Sequence, residues 1–211
     1  MVLNCLQWHD TDEHASPECF KTITEVVRRA CDEARARPPS TENVRSWHRQ
    51  AFQSVVPIDY YAGHFRQDDP SRVCLGQNVE VGGFPGFPYQ LVSASMAQLV
   101  HSVAGELTSL EVAWPALDDL TRARRIATVV GTAIGMFVHI HPFINGNGRT
   151  SRILWTALLR RIGIPPQATI LRRPGPPYGD VMHAAMKGDY SHAVAMVFVA
   201  LSKAPIPARL S

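Results

Sequence analysis

The apolar run from Ala127 to Ile140, closed by His141 and Pro142, limits the possible folds of this chain more than any other stretch. Leu117, Leu120, Ala127, Val130, Ile134 and Phe137 recur at helical spacing, which predicts a helix from Ala116 to about His139 with one continuous apolar stripe. The run holds Gly131 and Gly135 and is too short to cross a bilayer, so it reads as a buried core helix. Pro142 ends it, because a proline disfavours helix at the residue before it and lacks the N–H that a further turn needs.

A helix this greasy must be surrounded, and the rest of the chain supplies helices to do it. Ser16-Pro17 predicts a capped start, and Phe20, Ile23, Val26, Val27 and Ala30 continue a helix to about Arg35. Ser40 or Thr41 can cap a second helix carrying Val44, Trp47 and Phe52. Further helices are predicted over Leu91 to Leu107, Arg149 to Arg161, Asp180 to Lys187 and Tyr190 to Ser202. The helix from Arg149 should bury Ile153, Leu154, Ala157 and Leu158.

Only Pro57 to Tyr89 breaks the pattern, through Gly63, Gly76, Gly82, Gly83, Gly86 and its prolines. There Arg72 to Leu75 and Asn78 to Val81 read as two short strands around Gly76-Gln77, a small hairpin that must lean on helices to persist. The expected class is all-α with one β-hairpin. Residues 1–56 form an N-terminal helical segment packed on the core, 57–203 the main domain and 204–211 a tail.

Composition removes several function classes. With 45% apolar and 18% charged residues the chain can bury a core, which a disordered chain could not. A net charge of +3 with scattered arginines makes no basic stripe, so neither nucleic acid nor a membrane surface is an expected partner. Met1 to Trp8 lacks the basic head and apolar centre of an export signal. Cys5, Cys19, Cys31 and Cys74 include no C-x-x-C pair, so reduced structural thiols and a cytoplasmic location are the expectation.

The chemistry is concentrated after the core helix, in His141-Pro142-Phe143-Ile144-Asn145-Gly146-Asn147-Gly148-Arg149-Thr150-Ser151-Arg152. Gly146 and Gly148 let the backbone turn sharply and approach a ligand. The helix that follows begins there, so its unpaired N–H groups and positive dipole end face the turn and suit an anion. Arg149 and Arg152 lie three apart on one helix face and lean toward that end, where both can reach phosphate oxygens. Asn147 adds an amide. His141 stands beside this anion site, and an imidazole titrating near neutrality is a natural base for an attacking hydroxyl. Base plus phosphate cradle means phosphoryl-group transfer, with positioned charge as the main catalytic term. His139 and His141 are not a metal pair, since i and i+2 on a helix face apart.

These twelve residues closely resemble the motif of the Fic (filamentation induced by cAMP, or Fic-Doc) domain family: HPF, any residue, an acidic residue, then GNGRxxR. Gly63-His64-Phe65-Arg66, the segment to Val81, and Ala184 to Tyr190 resemble the family's approach segment, target-docking flap and C-terminal helices, so the likeness spans about Tyr60 to Leu201. The resemblance implies a helical bundle with a hairpin flap. It also implies a protein adenylyltransferase that moves AMP from ATP to a Ser, Thr or Tyr hydroxyl of a target protein. His141 would be the catalytic base; Gly146, Asn147, Gly148 and Arg149 would hold the phosphates, with Arg152 on the terminal one and Tyr178 in the base pocket. Phe143 would anchor the core. The flap backbone Val79, Glu80, Val81 and Gly82 would pair with an extended target segment.

One position departs from the motif. The family's acidic residue, which helps to hold Mg²⁺, is Asn145 here and offers only an uncharged carbonyl oxygen. Weaker metal binding, another donor (UMP, phosphocholine or phosphate transfer) or a nucleotide-binding module with weakened catalysis are the consequences to weigh. The family's restraining pattern is also missing. Glu42-Asn43 ends as that pattern does, but Pro38 occupies its Ser/Thr position, and no glutamate follows Glu111. Restraint would then fall to a separate antitoxin chain, as for a toxin, or to nothing. Delivery into another cell is compatible with the same features.

Overall fold

A computed structural model describes residues 5–8, 17–67, 69–165, 173–202 and 206–207, and its core is organised around one helix. Among the described residues seven α-helices run in the order α1 (Pro17–Ala36), α2 (Thr41–Phe52), α3 (Val92–Ala113), α4 (Asp119–Ile140), α5 (Asn147–Arg161), α6 (Tyr178–Met186) and α7 (Ser191–Leu201). Among the described residues the only sheet is a hairpin of β1 (Glu80–Val81) and β2 (Phe84–Pro85). This is the all-α architecture with a small flap that the periodicity predicts.

α4 packs against α3, α5, α6 and α7, while α1 lies on α5 and α2. Ile126, Val130, Ile134, Phe137 and Ile140 of α4 are fully buried. Truncating a ring such as that of Phe137 to a methyl group would cost about 3–5 kcal/mol. By length and composition alone α4 could cross a membrane, yet 67% of its apolar window is buried inside the protein, as a core helix requires.

Helix ends are set by the predicted chemistry. Ser40 caps α2 in a reciprocal box: its hydroxyl accepts from the Asn43 N–H, and the Asn43 Oδ1 accepts from the Ser40 N–H. Asp118 caps α4 through the Thr121 N–H at 2.8 Å. Glu33 joins α1 to α2 by accepting from both Trp47 Nε1 and Asn43 Nδ2. Glu111 and Arg161 pair between α3 and α5. The expected Ser16 cap lies outside the described residues, as does most of the 204–211 tail.

Three expectations are corrected. The hairpin is not centred on Gly76-Gln77 but on Gly82-Gly83, pairing Val81 with Phe84 and Glu80 with Pro85. Both turn residues have positive φ (58° and 84°), as a tight two-residue turn demands, whereas Gly76 does not. Val73–Leu75 is instead a 3₁₀ turn that buries Cys74 and Leu75. Leu120 is 53% exposed and off the α4 stripe, because Trp114–Ala116 forms its own 3₁₀ turn and α4 starts only at Asp119. The thiols are not all reduced: Cys5 and Cys74 form a disulfide, leaving Cys19 and Cys31 as buried thiols.

Candidate active site

The corner between α4 and α5 is built by side chains that have no freedom left. His141 ends α4 in the left-handed region (φ 51°), and Pro142 follows. The Arg66 guanidinium is fully buried beneath that end. Its Nε donates to the His141 carbonyl, its Nη2 to the Ile140 and Phe87 carbonyls and its Nη1 to the Gln77 carbonyl. One cation thus satisfies the exposed carbonyls of the helix terminus and fastens both ends of the flap segment to it.

Beyond Pro142, the Phe143 ring is buried and stacks on His48 at 3.6 Å. Asn147, the first residue of α5, closes the turn with both ends of its amide: Oδ1 accepts from the Phe143 N–H and Nδ2 donates to the Phe143 carbonyl. That side chain is spent, so what Asn147 can offer an anion is its backbone N–H.

His48 supports the glycine turn from below. Its Nδ1 accepts from the Gly63 N–H, so the proton sits on Nε2, which donates to the Asn145 carbonyl at 3.0 Å. Burial presses its pKa down to about 3 and keeps it neutral. Gly146 has φ 76°, and a Cβ there would lie 2.7 Å from the Phe52 ring and 3.0 Å from His48 Nε2. No other residue fits. The first N–H groups of α5, which have no acceptor within the helix, consequently point out of the turn as a cluster of donors.

Those donors open into a cleft of about 1230 Å³ lined by His141, Asn145, Gly146, Asn147, Gly148, Arg149, Arg152 and Tyr178. Val79, Glu80 and Val81 of the flap form another side. Gly82 does not line it and lies instead against His183 of α6. The flap rides on α6 through Phe84, whose ring meets the His183 ring edge-on and lies 4.7 Å below Lys187 Nζ.

Arg152 is only 7% exposed, yet its Nε has no hydrogen-bond partner, and the buried Tyr178 hydroxyl is in the same condition. Both residues line the cleft, so a ligand bound there could supply the missing partners. His141 is half-buried, and its Nδ1 lies 3.2 Å from the Val138 carbonyl. A carbonyl can only accept, so Nδ1 carries the proton and Nε2 holds a free lone pair. Burial lowers this imidazole to about 4, and phosphate charge in the cleft would push it back up. His139 plays the structural part expected of it, bonding the Tyr190 hydroxyl through Nδ1.

Asn145 shows how far the cleft suits a divalent ion. Its Nδ2 donates to the Trp8 carbonyl at 2.8 Å and its Oδ1 accepts from the Gly146 N–H at 2.6 Å. Neither end is ionised, both are engaged, and no cluster of three His, Cys, Asp or Glu side chains exists among the described residues. Sequence reasoning passed over His48, Arg173 and Cys5–Trp8 and gave Arg66 a place in the approach segment but no role, and all of these line or support the cleft. For His48 a signal existed: it sits four residues from both Val44 and Phe52, on the buried stripe of its helix.

The fold is thus a helical bundle that sets an imidazole and two arginines beside a helix N-terminus, under a hairpin flap. Residues 38–159 match the Fic/DOC family, and the chain belongs to it. Over 125 residues it is 50% identical to the protein adenylyltransferase Fic of Drosophila willistoni and to that of Drosophila grimshawi, covering 59% of this chain. It spans only 20% and 21% of the length of those curated relatives. Among solved structures, BepC, a VirB-translocated effector of Bartonella tribocorum with AMPPNP bound, superposes with a TM-score of 0.55 at 15% identity over 94% of each chain. A Fic-domain signalling protein of Bacteroides thetaiotaomicron gives 0.57 at 16% identity, over 90% of this chain and 74% of that one. At such identities these structures speak for the fold.

Proposed function

We propose that this chain is a protein adenylyltransferase that moves AMP from ATP to a hydroxyl side chain of another protein. The observation that carries the reading is the meeting of the His141 Nε2 lone pair, the α5 N-terminus and the buried, unmet Arg152 in one cleft. The relatives' name and the AMPPNP or ADP bound in two of the similar structures support it.

In this mechanism the target hydroxyl gives its proton to His141 as its oxygen attacks the α-phosphorus of ATP. The bond to the β-phosphate oxygen breaks and pyrophosphate leaves. Arg149, Arg152 and the N–H groups of Asn147 and Gly148 hold the charge that develops, while the Gly146 N–H, expected among them, is taken up by Asn145 Oδ1. Tyr178 borders the adenine end. An extended stretch of the target adds to the flap along Val79 to Gly82, its backbone pairing with β1. Asn145 offers no ionised oxygen to a Mg²⁺ ion, so the charge that would hold one there would have to come from the nucleotide's phosphates. Restraint by a separate antitoxin chain fits the missing internal glutamate. Work in the cytoplasm, of its own or of a recipient cell, fits the need for ATP and protein hydroxyls, while the Cys5–Cys74 disulfide calls for an oxidising surrounding at some stage.

Intact-mass analysis after incubation with ATP and a lysate tests this, with α- and γ-labelled ATP run in parallel. Label from the α-position only, lost about a hundredfold or more in His141→Ala, is the expected result. Label from the γ-position would replace AMP transfer by phosphate transfer. Asn145 favours one second reading, a module that binds nucleotide without transferring it. That reading gains if binding is tight, no product forms, and Asn145→Asp starts transfer.

A further inference from the structure

One side of the cleft comes from a segment remote in sequence from the α4–α5 corner. Cys5, Leu6, Gln7 and Trp8 line it, with Trp8 beside the turn that leads into α5. Three tethers hold them there. Cys5 is disulfide-bonded to Cys74, 69 residues away in the 3₁₀ turn that precedes the flap. The Tyr61 hydroxyl donates to the Leu6 carbonyl at 3.0 Å. Asn145 Nδ2 donates to the Trp8 carbonyl at 2.8 Å. The Trp8 indole meets Phe52 and His48 edge-on, with ring centres 5.4 and 5.9 Å apart, and these are the two side chains that seat Gly146.

Asn145 therefore works in two directions at once. Accepting the Gly146 N–H through Oδ1 is something a carboxylate could do equally well. Donating to Trp8 is not, because an ionised carboxyl has no proton to give and would set like charge against a carbonyl oxygen. The amide at this position has its explanation in the segment it holds.

We propose that Cys5–Trp8 is a strap forming one wall of the donor-nucleotide site, with Asn145 as the positioning residue that clasps it. Opening the Cys5–Cys74 disulfide then releases the strap and weakens donor binding. The inference rests on reading the cleft as a nucleotide site. The chemical step is ordinary dithiol exchange. A dithiol reductant supplies two electrons and two protons, the S–S bond breaks, Cys5 and Cys74 become thiols, and the reductant leaves as its own disulfide. The hydrogen bonds to the Leu6 and Trp8 carbonyls and the packing of Trp8 then have to oppose the chain entropy of the segment without its covalent tether.

Hydrogen exchange read by mass spectrometry, together with AMPPNP titration by calorimetry, tests both halves on the full chain. In the oxidised protein the peptide containing Trp8 should be protected. Dithiothreitol, or Cys74→Ser without it, should lower that protection about thirtyfold or more. Asn145→Asp should lower it about threefold to tenfold with the disulfide intact. The AMPPNP Kd should rise roughly fivefold or more on reduction, and reductant should add nothing further to Cys74→Ser. A Cys19→Ser/Cys31→Ser chain should answer dithiothreitol as the wild type does. Unchanged protection on reduction overturns the strap. A Kd that stays the same or falls when the strap is released overturns the wall. Failure of every form to bind AMPPNP, oxidised wild type included, instead sinks the nucleotide reading, while the exchange data still decide whether Asn145 and the disulfide hold the segment.

Discussion

Arg66 and Arg152 lie on opposite sides of the same corner, both buried, and they differ in what their donors do. Beneath the corner, Arg66 spends Nε, Nη1 and Nη2 on four backbone carbonyls, and burial pushes its guanidinium down to about 10. On the cleft side, Arg152 keeps an Nε with no partner. The two histidines repeat the contrast. His48 uses both ring nitrogens, one as acceptor and one as donor, while His141 uses Nδ1 and leaves Nε2 open. At this corner, the groups whose hydrogen bonds are all met hold the turn, and the two left one short belong to residues that line the cleft.

The sharpest way to break this contrast is to delete each arginine in turn. Arg66→Ala strands four carbonyls at the end of α4 and at the flap. Hydrogen bonds to a charged group are worth about 1.5–3 kcal/mol each, so a loss of several kcal/mol, comparable to a whole domain's stability, is expected in urea melts. Arg152→Ala removes a buried charge with an unmet donor. Its melting should change little or rise, whereas AMPPNP affinity should fall about tenfold to a hundredfold. Equal damage to stability from both variants would erase the distinction.

Acid provides the next test, because buried neutral histidines must take up protons on unfolding. The folded pKa of His48 is pressed to about 3, while an unfolded imidazole titrates near 6.5. Its contribution is complete above pH 6.5 and is lost as pH falls from 6.5 toward 3, at about 1.4 kcal/mol per pH unit. His141, lowered to about 4, adds a similar slope that ends sooner. Urea melts at pH 7, 6 and 5 should follow this decline. His48→Gln, which keeps an N–H for the Asn145 carbonyl, should flatten the decline. An unchanged slope in that variant would mean that His48 is not held neutral.

How much of this could be read from the sequence depends on the range over which each feature is decided. The α4–α5 corner was legible because its causes are local: apolar period, Pro142, and glycines four and six residues beyond it. The hairpin was misplaced because Gly76-Gln77 and Gly82-Gly83 both spell a two-residue turn, and only the backbone tells which has two left-handed residues. Leu120 keeps the α4 stripe's chemistry but lies one turn too early, before the helix has entered the core. Cys5 with Cys74, Asn145 with Trp8 and Arg66 with Ile140 are partners 69 or more residues apart, and no spacing rule reaches that far. The glycine turn into α5 was visible in the motif, but the side chains that shape it from below were not.

The smallest expected effect makes the finest test of the contrast. Tyr178 is buried at the start of α6, lines the cleft, and its hydroxyl has no hydrogen-bond partner. Deleting only that oxygen in Tyr178→Phe keeps the ring's packing and removes an unsatisfied polar atom. The melting midpoint should stay within about 0.5 kcal/mol of wild type or rise slightly. If the hydroxyl awaits the nucleotide, as Arg152 does, AMPPNP should bind about threefold to tenfold more weakly, with the loss confined to the adenosine part. Inorganic triphosphate, which shares the phosphates but not the base, should then bind both forms alike. A stability loss of 1 kcal/mol or so with unchanged AMPPNP binding would instead move Tyr178 to the side of Arg66 and His48, among the residues that hold the fold.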